Sequence, residues 1–286
     1  MNRNLSGLAI ASAVILAVTV TTTAVAQTDS RTTTVMDRQR PELDPLGVKS
    51  GAFTIFPSVE VSETYNDNIF ATENGAVDDF ITTVTPAVRV SSDWNQHYLG
   101  FNGSGDIVRY ADNGAEDHET YNLALDGRLD IRRDTNVTAR AAYELGSEER
   151  GSIDDAGGRT PTEFDVQSLE AGVFNQWNRV SLNADGSFFR RDFDDDRDRD
   201  EFGLTVRGGY EIQEQYEAFA EVILTSVNYD AAVDDNGLNR DSEGYEIRAG
   251  ARIDLTGLLF GDVFVGYLNR DYEDASLRSV DTFVGG

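Results

Sequence analysis

Residues 242–256 read SEGYEIRAGARIDLT, and apolar and polar side chains alternate through them almost without a break. One face would carry Tyr245, Ile247, Ala249, Ala251, Ile253 and Leu255, and the other Glu246, Arg248, Gly250, Arg252 and Asp254. A period of two residues over a dozen positions is the signal of a β-strand, because a helix would spread these residues around its axis. The stretch therefore predicts a strand whose two faces differ in chemistry.

The same alternation recurs at 121–132, 137–145 and 202–212, and less cleanly at 216–224. Residues 96–110 and 261–272 are strand-like but change phase, as a β-bulge would cause. Twelve strand segments are predicted, near 52–64, 80–92, 96–110, 119–132, 136–148, 163–176, 180–191, 201–212, 216–229, 242–255, 261–272 and 278–286. Most exceed the usual 5–6 residues of soluble strands and match the roughly 9–11 residues of a tilted strand that crosses a bilayer.

The connections between these segments alternate in length. Short turns are predicted at 93–95, 133–135, 177–179, 212–215 and 256–261, and longer polar loops at 112–119, 148–162, 192–201, 230–241 and 271–276. Short turns on one side and long loops on the other are typical of outer-membrane barrels. We predict an all-β fold, an antiparallel up-and-down transmembrane β-barrel of about 12 strands or more. Such barrels usually end on a C-terminal aromatic residue, and since this chain ends in DTFVGG we expect a fragment, incomplete at the C-terminus.

The N-terminus has the features of a secretory signal peptide. Arg3 precedes the apolar run LAIASAVILAVTV, and Ala24 and Ala26 form a small-x-small cleavage pattern. The alternative is a membrane anchor, but the run is shorter than the roughly 20 residues that a spanning helix needs. We predict a signal peptide at 1–26, a flexible periplasmic segment at 27–50 and the barrel at 51–286.

Composition excludes several classes of function. The chain has 51 Asp and Glu against 24 Lys and Arg, a formal charge of −27, so nucleic acid is not an expected partner. It has no Cys, which removes thiolate metal sites and Cys nucleophiles. His97 and His118 are its two histidines, too few for a His-rich centre. We expect no cofactor and no enzymatic activity.

The charged face of the alternating strands supplies the first candidate site. If the apolar face meets lipid, a wet lumen is lined by Asp126, Arg128, Asp130, Glu144, Arg207, Glu217, Glu221, Glu246, Arg248, Arg252 and Asp254. The same ladders could equally be cross-strand pairs that hold the sheet together. Alternation cannot tell the inside from the outside, but the many small residues of the apolar face favour lipid over a soluble core.

The segment DFDDDRDRDE at 192–201 supplies a second candidate site, for Ca²⁺ or Mg²⁺, since hard cations bind clustered carboxylates. Its ligands would come from Asp192, Asp194, Asp195, Asp196, Asp198 and Asp200. Arg197 and Arg199 neutralise part of this charge, and the segment lacks the EF-hand spacing. A solvated loop tip is the alternative interpretation.

Aromatic residues near the strand ends suggest the two interfacial girdles of a barrel. Those near the short turns are Trp94, Trp177, Tyr216 and Phe260, and those near the long loops are Tyr110, Tyr121, Phe164, Phe188, Phe202, Tyr229, Tyr245 and Tyr272.

A family resemblance lies in residues 40–95. Its motifs are RPE at 40–42, DPLG at 44–47, GAF at 51–53, FPS at 56–58, YNDNIF at 65–70, DFI at 79–81 and Pro86. This region resembles the β-barrel porin type 2 family of Gram-negative outer-membrane proteins, often encoded near exopolysaccharide genes. The family has no assigned catalytic residues.

The resemblance implies an outer-membrane location and a porin-like channel or an accessory role in exopolysaccharide export. Expected partners are outer-membrane lipid and lipopolysaccharide, the barrel-assembly machinery and polysaccharide export components. Two alternatives remain open, a structural or adhesive barrel with acidic extracellular loops, and a soluble secreted carbohydrate-binding β-sandwich.

Overall fold

A computed structural model describes residues 45–148, 150, 162–194, 197–234, 237–254 and 260–286. The predicted signal peptide with Ala24 and Ala26, most of the segment 27–50, and Asp195 and Asp196 lie outside the described residues. Within the described part, no helix is long and apolar enough to cross a bilayer.

The described chain is all-β apart from one 3₁₀ turn at Gly114–Glu116. The strands are β1 (Val48–Ser50), β2 (Phe53–Asn66), β3 (Asp79–Ser92), β4 (Tyr98–Tyr110), β5 (His118–Arg132), β6 (Thr135–Ser147), β7 (Glu163–Trp177), β8 (Val180–Phe193), β9 (Arg199–Gln213), β10 (Tyr216–Tyr229), β11 (Ser242–Asp254), β12 (Phe260–Tyr272) and β13 (Val280–Gly285). The twelve predicted segments correspond to β2–β13, and β1 lies at the end of the segment predicted to be flexible.

All thirteen strands belong to one antiparallel sheet, in which each strand pairs with its neighbours in sequence. This up-and-down order confirms the predicted topology. In the described residues no pairing joins β13 to β1 or β2. A β-sandwich needs two sheets packed face to face, so this single sheet contradicts the sandwich alternative.

The connections alternate in length as predicted. Two-residue turns join β5 to β6, β7 to β8 and β9 to β10. The connections at the other end are longer, with five residues at 194–198, twelve at 67–78 and at 230–241, and fifteen at 148–162, most of which lie outside the described residues. In the turn after β7, Asn178 has a φ of 54°, a left-handed conformation that asparagine tolerates. Long loops therefore emerge at one end of the strands, and short turns at the other.

Away from the loop ends of the strands, where charged residues such as Asp165 and Asp192 lie on the apolar side, the register gives each face of the sheet one chemistry. Glu221 is directly opposite Arg207 and Arg248, while Val222 is opposite Val206 and Ile247. We call the face of Glu221 the polar face and the face of Val222 the apolar face.

Burial on the two faces is the reverse of that in a soluble protein. The side chain of Glu221 on the polar face is 12% exposed, whereas Val265 on the apolar face is 72% exposed. The buried apolar residues of the described strands, Ala124, Val166 and Phe219, all lie on the polar face. The apolar face is thus left uncovered, which is the arrangement expected of strands surrounded by lipid.

The apolar face has the height of a bilayer. In β9 it runs from Phe202 to Ile212. The ten steps between these residues, in a strand tilted by about 40°, span about 25 Å, the apolar height of outer-membrane barrels. Aromatic rings meet across strands at its loop end, at 5.1 Å for Tyr65–Phe80 and 4.9 Å for Phe188–Phe202. These aromatic pairs support an interfacial girdle at the loop end of the apolar face.

Two predictions about the strands need correction. The register places Tyr110, Phe164, Tyr229, Tyr272 and Phe260 on the polar face, so these rings cannot belong to a lipid-facing girdle. The register of 96–110 and 261–272 has no bulge; the irregularities lie at Asp130/Arg132 and Tyr216/Glu217. The apparent change of phase arises because Phe264 and Leu268 lie on the polar face, where a hydrophobicity pattern expects polar residues.

Candidate functional site: the polar face

The register brings all eleven predicted lumen residues to the polar face. Direct pairing links Asp126 to Arg140, and Arg207 through Glu221 to Arg248, while alternation along each strand places the others. That these residues line a lumen stays a prediction, but the structure shows that they share one face and that many of them pair across strands.

The densest network crosses β9–β12 around Asp262. Arg207 donates to Asp262 at 2.8 Å and Arg252 donates to the other carboxylate oxygen at 3.0 Å. Arg248 bridges two strands, with an Nε–Oε1 distance of 2.6 Å to Glu246 and an Nη1–Oε2 distance of 3.3 Å to Glu221. Arg207 and Arg252 share the Asp262 carboxylate, and Arg248 links β11 to Glu221 of β10, so the four strands are tied together by charge as well as by their backbone.

Aromatic rings support these arginines. The guanidinium of Arg207 lies 3.7 Å from the centroid of the Phe219 ring, and that of Arg248 lies 4.9 Å from the centroid of Phe264. A planar cation resting on a ring is favourable and fixes the direction in which the charge points. Neither ring was predicted from the sequence, because both interrupt an otherwise polar face.

A second network lies on β4–β6. Arg140 donates to Asp126 at 2.6 Å, Asn102 contacts the other oxygen of this carboxylate, and Arg128 pairs with Asp130 at 3.1 Å. Arg140 and Asp262 were missed as candidate residues. The alternation of 137–145 would have identified Arg140, but the changed phase of 261–272 concealed Asp262.

Arg207 and Arg252 allow a matched test of burial, because both pair with Asp262 but are 17% and 58% exposed. We expect Arg207→Ala to lower the free energy of unfolding by about 2 kcal/mol, since it leaves a half-buried carboxylate poorly compensated. Arg252→Ala should cost less than about 1 kcal/mol, as exposed pairs do. Urea unfolding of the two variants in micelles measures both; equal losses would contradict the role assigned to Arg207.

The carboxylates that lie close together near segment 192–201 are not the set that was predicted. Carboxylate oxygens of Asp192, Asp198 and Asp230 lie within 4.8 Å of one another, and Asp230 comes from the next long loop. Arg190 donates to Asp230 at 2.8 Å and pairs with Asp192 at 3.0 Å and Asp200 at 3.2 Å. An arginine thus already supplies a cation among these acids. The metal site stays a prediction, and Arg190 and Asp230 were not identified from the sequence.

Side chains also tie the long loops to one another. Glu116 after β4 pairs with Arg150 after β6 at 2.9 Å, and Glu148 pairs with Arg197 after β8 at 2.7 Å. The Asn239 N–H donates to Asp274 of the last loop at 3.1 Å. Hydrogen bonds from the Ser276 hydroxyl and N–H, with that of Asn239, hold the pKa of Asp274 below its ordinary value.

A carboxylate at the start of β3 holds the loop that follows β4. Asp79 is 3% exposed and accepts hydrogen bonds from the backbone N–H groups of Ala111, Asp112 and Asn113 at 2.9–3.2 Å. It also accepts from the Asn113 side chain at 2.8 Å and from the Phe80 N–H at 2.7 Å. One side chain therefore satisfies the three consecutive backbone donors at the start of this loop.

The two histidines lie at opposite ends of the strands. His97 is in the short turn before β4, where its backbone N–H donates to Asp130, and His118 begins β5 at the loop end, with Nδ1 2.8 Å from the Glu116 carbonyl. The structure does not bring them into a common site.

A cleft of about 300 Å³ opens at the loop end of β4–β7. Its lining includes Asp106, Asn122, Glu144, Gly146 and Phe164, all on the polar face. Of these only Glu144 was a candidate from the sequence. Phe164 was predicted to belong to the lipid-facing girdle, but its phenyl ring forms one wall of the cleft instead.

One sheet of long up-and-down strands, with an uncovered apolar face and a charged, cross-linked polar face, defines a transmembrane barrel protein of the outer membrane. Residues 40–286 match the family described as "Putative beta-barrel porin 2", and the chain belongs to this family. It is accordingly a protein of the Gram-negative outer membrane.

No protein with a curated description matches the chain. Among solved structures, an outer membrane channel from Pseudomonas putida F1 is similar at 12% identity and a TM-score of 0.39, covering 84% of this chain and 96% of that one. Outer-membrane expressed OmpT of Vibrio cholerae is similar at 10% identity and a TM-score of 0.41, covering 82% and 96%.

Proposed function

We propose that this protein is a non-enzymatic, porin-like channel whose polar face lines the path of hydrophilic solutes, with an accessory role in surface polysaccharide export. The segregation of charge to one face carries the proposal. Each charged residue of the polar face would lower the stability in the membrane by several kcal/mol if it faced lipid. The polar face is therefore the side in contact with water.

The polar face is predominantly acidic. Across β5–β12 the register places there the acids Asp126, Asp130, Glu144, Glu170, Asp185, Glu201, Glu211, Glu217, Glu221, Glu246, Asp254 and Asp262, and the arginines Arg128, Arg140, Arg191, Arg199, Arg207, Arg248, Arg252 and Arg270. A passage lined mainly by one sign of charge concentrates ions of the opposite sign. The channel is therefore proposed to prefer cations.

Planar-bilayer conductance of the refolded full-length protein tests this, with heat-modifiable gel migration as the control for folding. We expect discrete steps and a reversal potential that favours K⁺ over Cl⁻. Glu170 and Asp185 are near neighbours on the polar face of β7 and β8, and replacing both by their amides should lower the K⁺ preference by roughly half. Asp165→Asn, on the apolar face of β7, is the matched control and should leave it unchanged.

A folded protein that shows no steps would contradict the channel and favour the structural or adhesive alternative. That alternative is supported by the ties between the acidic long loops, which suit a fixed outer surface. Steps that prefer anions would contradict the role proposed for the polar face.

The proposal includes partners. Outer-membrane lipid would cover the apolar face, with lipopolysaccharide beside its loop end, where Tyr65, Tyr121 and Tyr267 donate to Asp78, Glu119 and Asp281. Insertion would require the barrel-assembly machinery, and an export role would require polysaccharide export components. Nucleic acid is not a proposed partner, because the charge of −27 opposes it.

A further inference from the structure

The cleft at the loop end of β4–β7 combines an aromatic platform with hydrogen-bonding groups. A Cβ at position 146 would overlap the ring of Phe164, so only glycine lets this ring lie against the strand. Phe164 also contacts Phe193, with 5.7 Å between ring centroids, and the guanidinium of Arg197 lies 4.4 Å from the centroid of Phe193. Packing from behind thus holds Phe164 in place, with its side chain partly exposed at the cleft.

The polar groups of the cleft lie on adjacent strands. Asn122 and Glu144 are direct partners in the register; both are exposed, and neither side chain is hydrogen-bonded to a described residue. Asp106 is more constrained, because it accepts from the hydroxyls of Thr85 at 2.5 Å and Thr120 at 3.4 Å. Two groups are therefore available to a ligand. The Glu144 carboxylate accepts hydrogen bonds, and the Asn122 amide can both donate and accept them.

We propose that this cleft binds a neutral pyranose unit of a glycan chain, with the sugar stacked on Phe164 and its hydroxyl groups hydrogen-bonded to Glu144 and Asn122. The proposal rests on the proposed function, in which the polar face lines a solute path. A pyranose ring has an apolar C–H face and a hydroxyl edge, so it matches a cleft with one aromatic wall and polar groups beside it. A volume of about 300 Å³ suits a ligand of one or two sugar rings.

Charge selects among sugars. No Lys or Arg is among the described residues that line the cleft, whereas two carboxylates are. Uronic acids and phosphorylated sugars would be repelled, and neutral hydroxyls can donate to Glu144 without any change of charge. The cleft therefore disfavours anionic sugar units, and a neutral sugar needs no charge partner to bind there.

Saturation-transfer NMR titration of the full chain in a detergent without sugar head groups tests the binding without requiring conductance. The probes are maltotetraose, the tetramer of galacturonic acid and the tetramer of glucosamine. We expect maltotetraose to bind, with an affinity that falls about tenfold in Phe164→Ala, the equivalent of about 1.4 kcal/mol. Gly146→Ala should give a similar loss, because its new methyl group displaces the ring.

Phe174→Ala is the matched control, since Phe174 lies on the same face of the same strand but outside the cleft. It should change the affinity by less than about twofold. Asn122→Ala changes an exposed residue, so this variant should fold normally, and we expect it to weaken binding several-fold. It tests the site independently if Phe164→Ala proves to be unfolded. Equal binding by wild type and Phe164→Ala, or tighter binding of either charged tetramer, would overturn the proposal.

The two proposals fail in different ways. A protein that conducts ions but does not bind maltotetraose would refute the sugar site and leave the channel intact. A protein that binds maltotetraose through Phe164 but shows no conductance would refute the channel, and with it the solute path on which the site was placed.

Discussion

Val206→Arg is expected to prevent stable insertion into the membrane, with a loss of about 3 kcal/mol of folding free energy in lipid. Val206 lies near the middle of the apolar band of β9, between Phe202 and Ile212, and its register partner Val222 is also apolar. An arginine there would face hydrocarbon at the depth where its guanidinium is most costly. Refolding into phospholipid vesicles, followed by heat-modifiable gel migration and urea titration, measures the loss.

Thr205→Arg is the matched control, with the same new side chain one residue away on the opposite face. Thr205 lies opposite Asp185, so the guanidinium would enter a polar and acidic neighbourhood. We expect a change of less than about 1 kcal/mol. If Thr205→Arg were as harmful as Val206→Arg, or if the order were reversed, the assignment of the two faces would be wrong.

Asp79→Ala is expected to have the second large effect, through the loop that follows β4. The substitution removes the acceptor of five N–H groups at an almost fully buried position. Because hydrogen bonds to a charged acceptor are stronger than neutral ones, we expect the urea midpoint to fall by about 1 M. Asp79→Asn should give a smaller loss, since it keeps one acceptor oxygen. Tryptophan fluorescence during urea unfolding gives the midpoints.

Asp78→Ala controls for the loss of charge at this loop. Asp78 is the preceding residue and accepts only from the exposed hydroxyl of Tyr65 among the described residues. Its replacement should leave the midpoint unchanged within error. If Asp79→Ala and Asp78→Ala had the same urea midpoint, the backbone N–H groups of the loop would be hydrogen-bonded by solvent and not by the Asp79 carboxylate.

The strands and their order were predictable because alternation is a local property. In residues 242–254 each side chain has only two possible directions, so the sequence itself sorts Ile247 from Arg248. The positions of the turns and the lengths of the loops followed from the same pattern. The family was also recognisable from short motifs within residues 40–95.

The candidate sites were only partly predictable. The eleven charged residues were found because they alternate with apolar neighbours. Phe164, Phe219 and Asp262 were misassigned or missed, since an aromatic residue on a polar face looks like a change of phase. Arg190 and Asp230 were missed because they are 40 residues apart, and only the order of the strands brings them together.

The sequence by itself therefore determined the strands, the two chemistries of their faces, the alternation of turns and loops, and the family. Only the tertiary structure decided which residues meet. Alternation fixes the side of the sheet on which a residue lies, but not its level relative to the next strand, which depends on the geometry of each turn. Ion pairs, ring contacts and the cleft beside Phe164 all depend on that register, because each joins side chains from different strands.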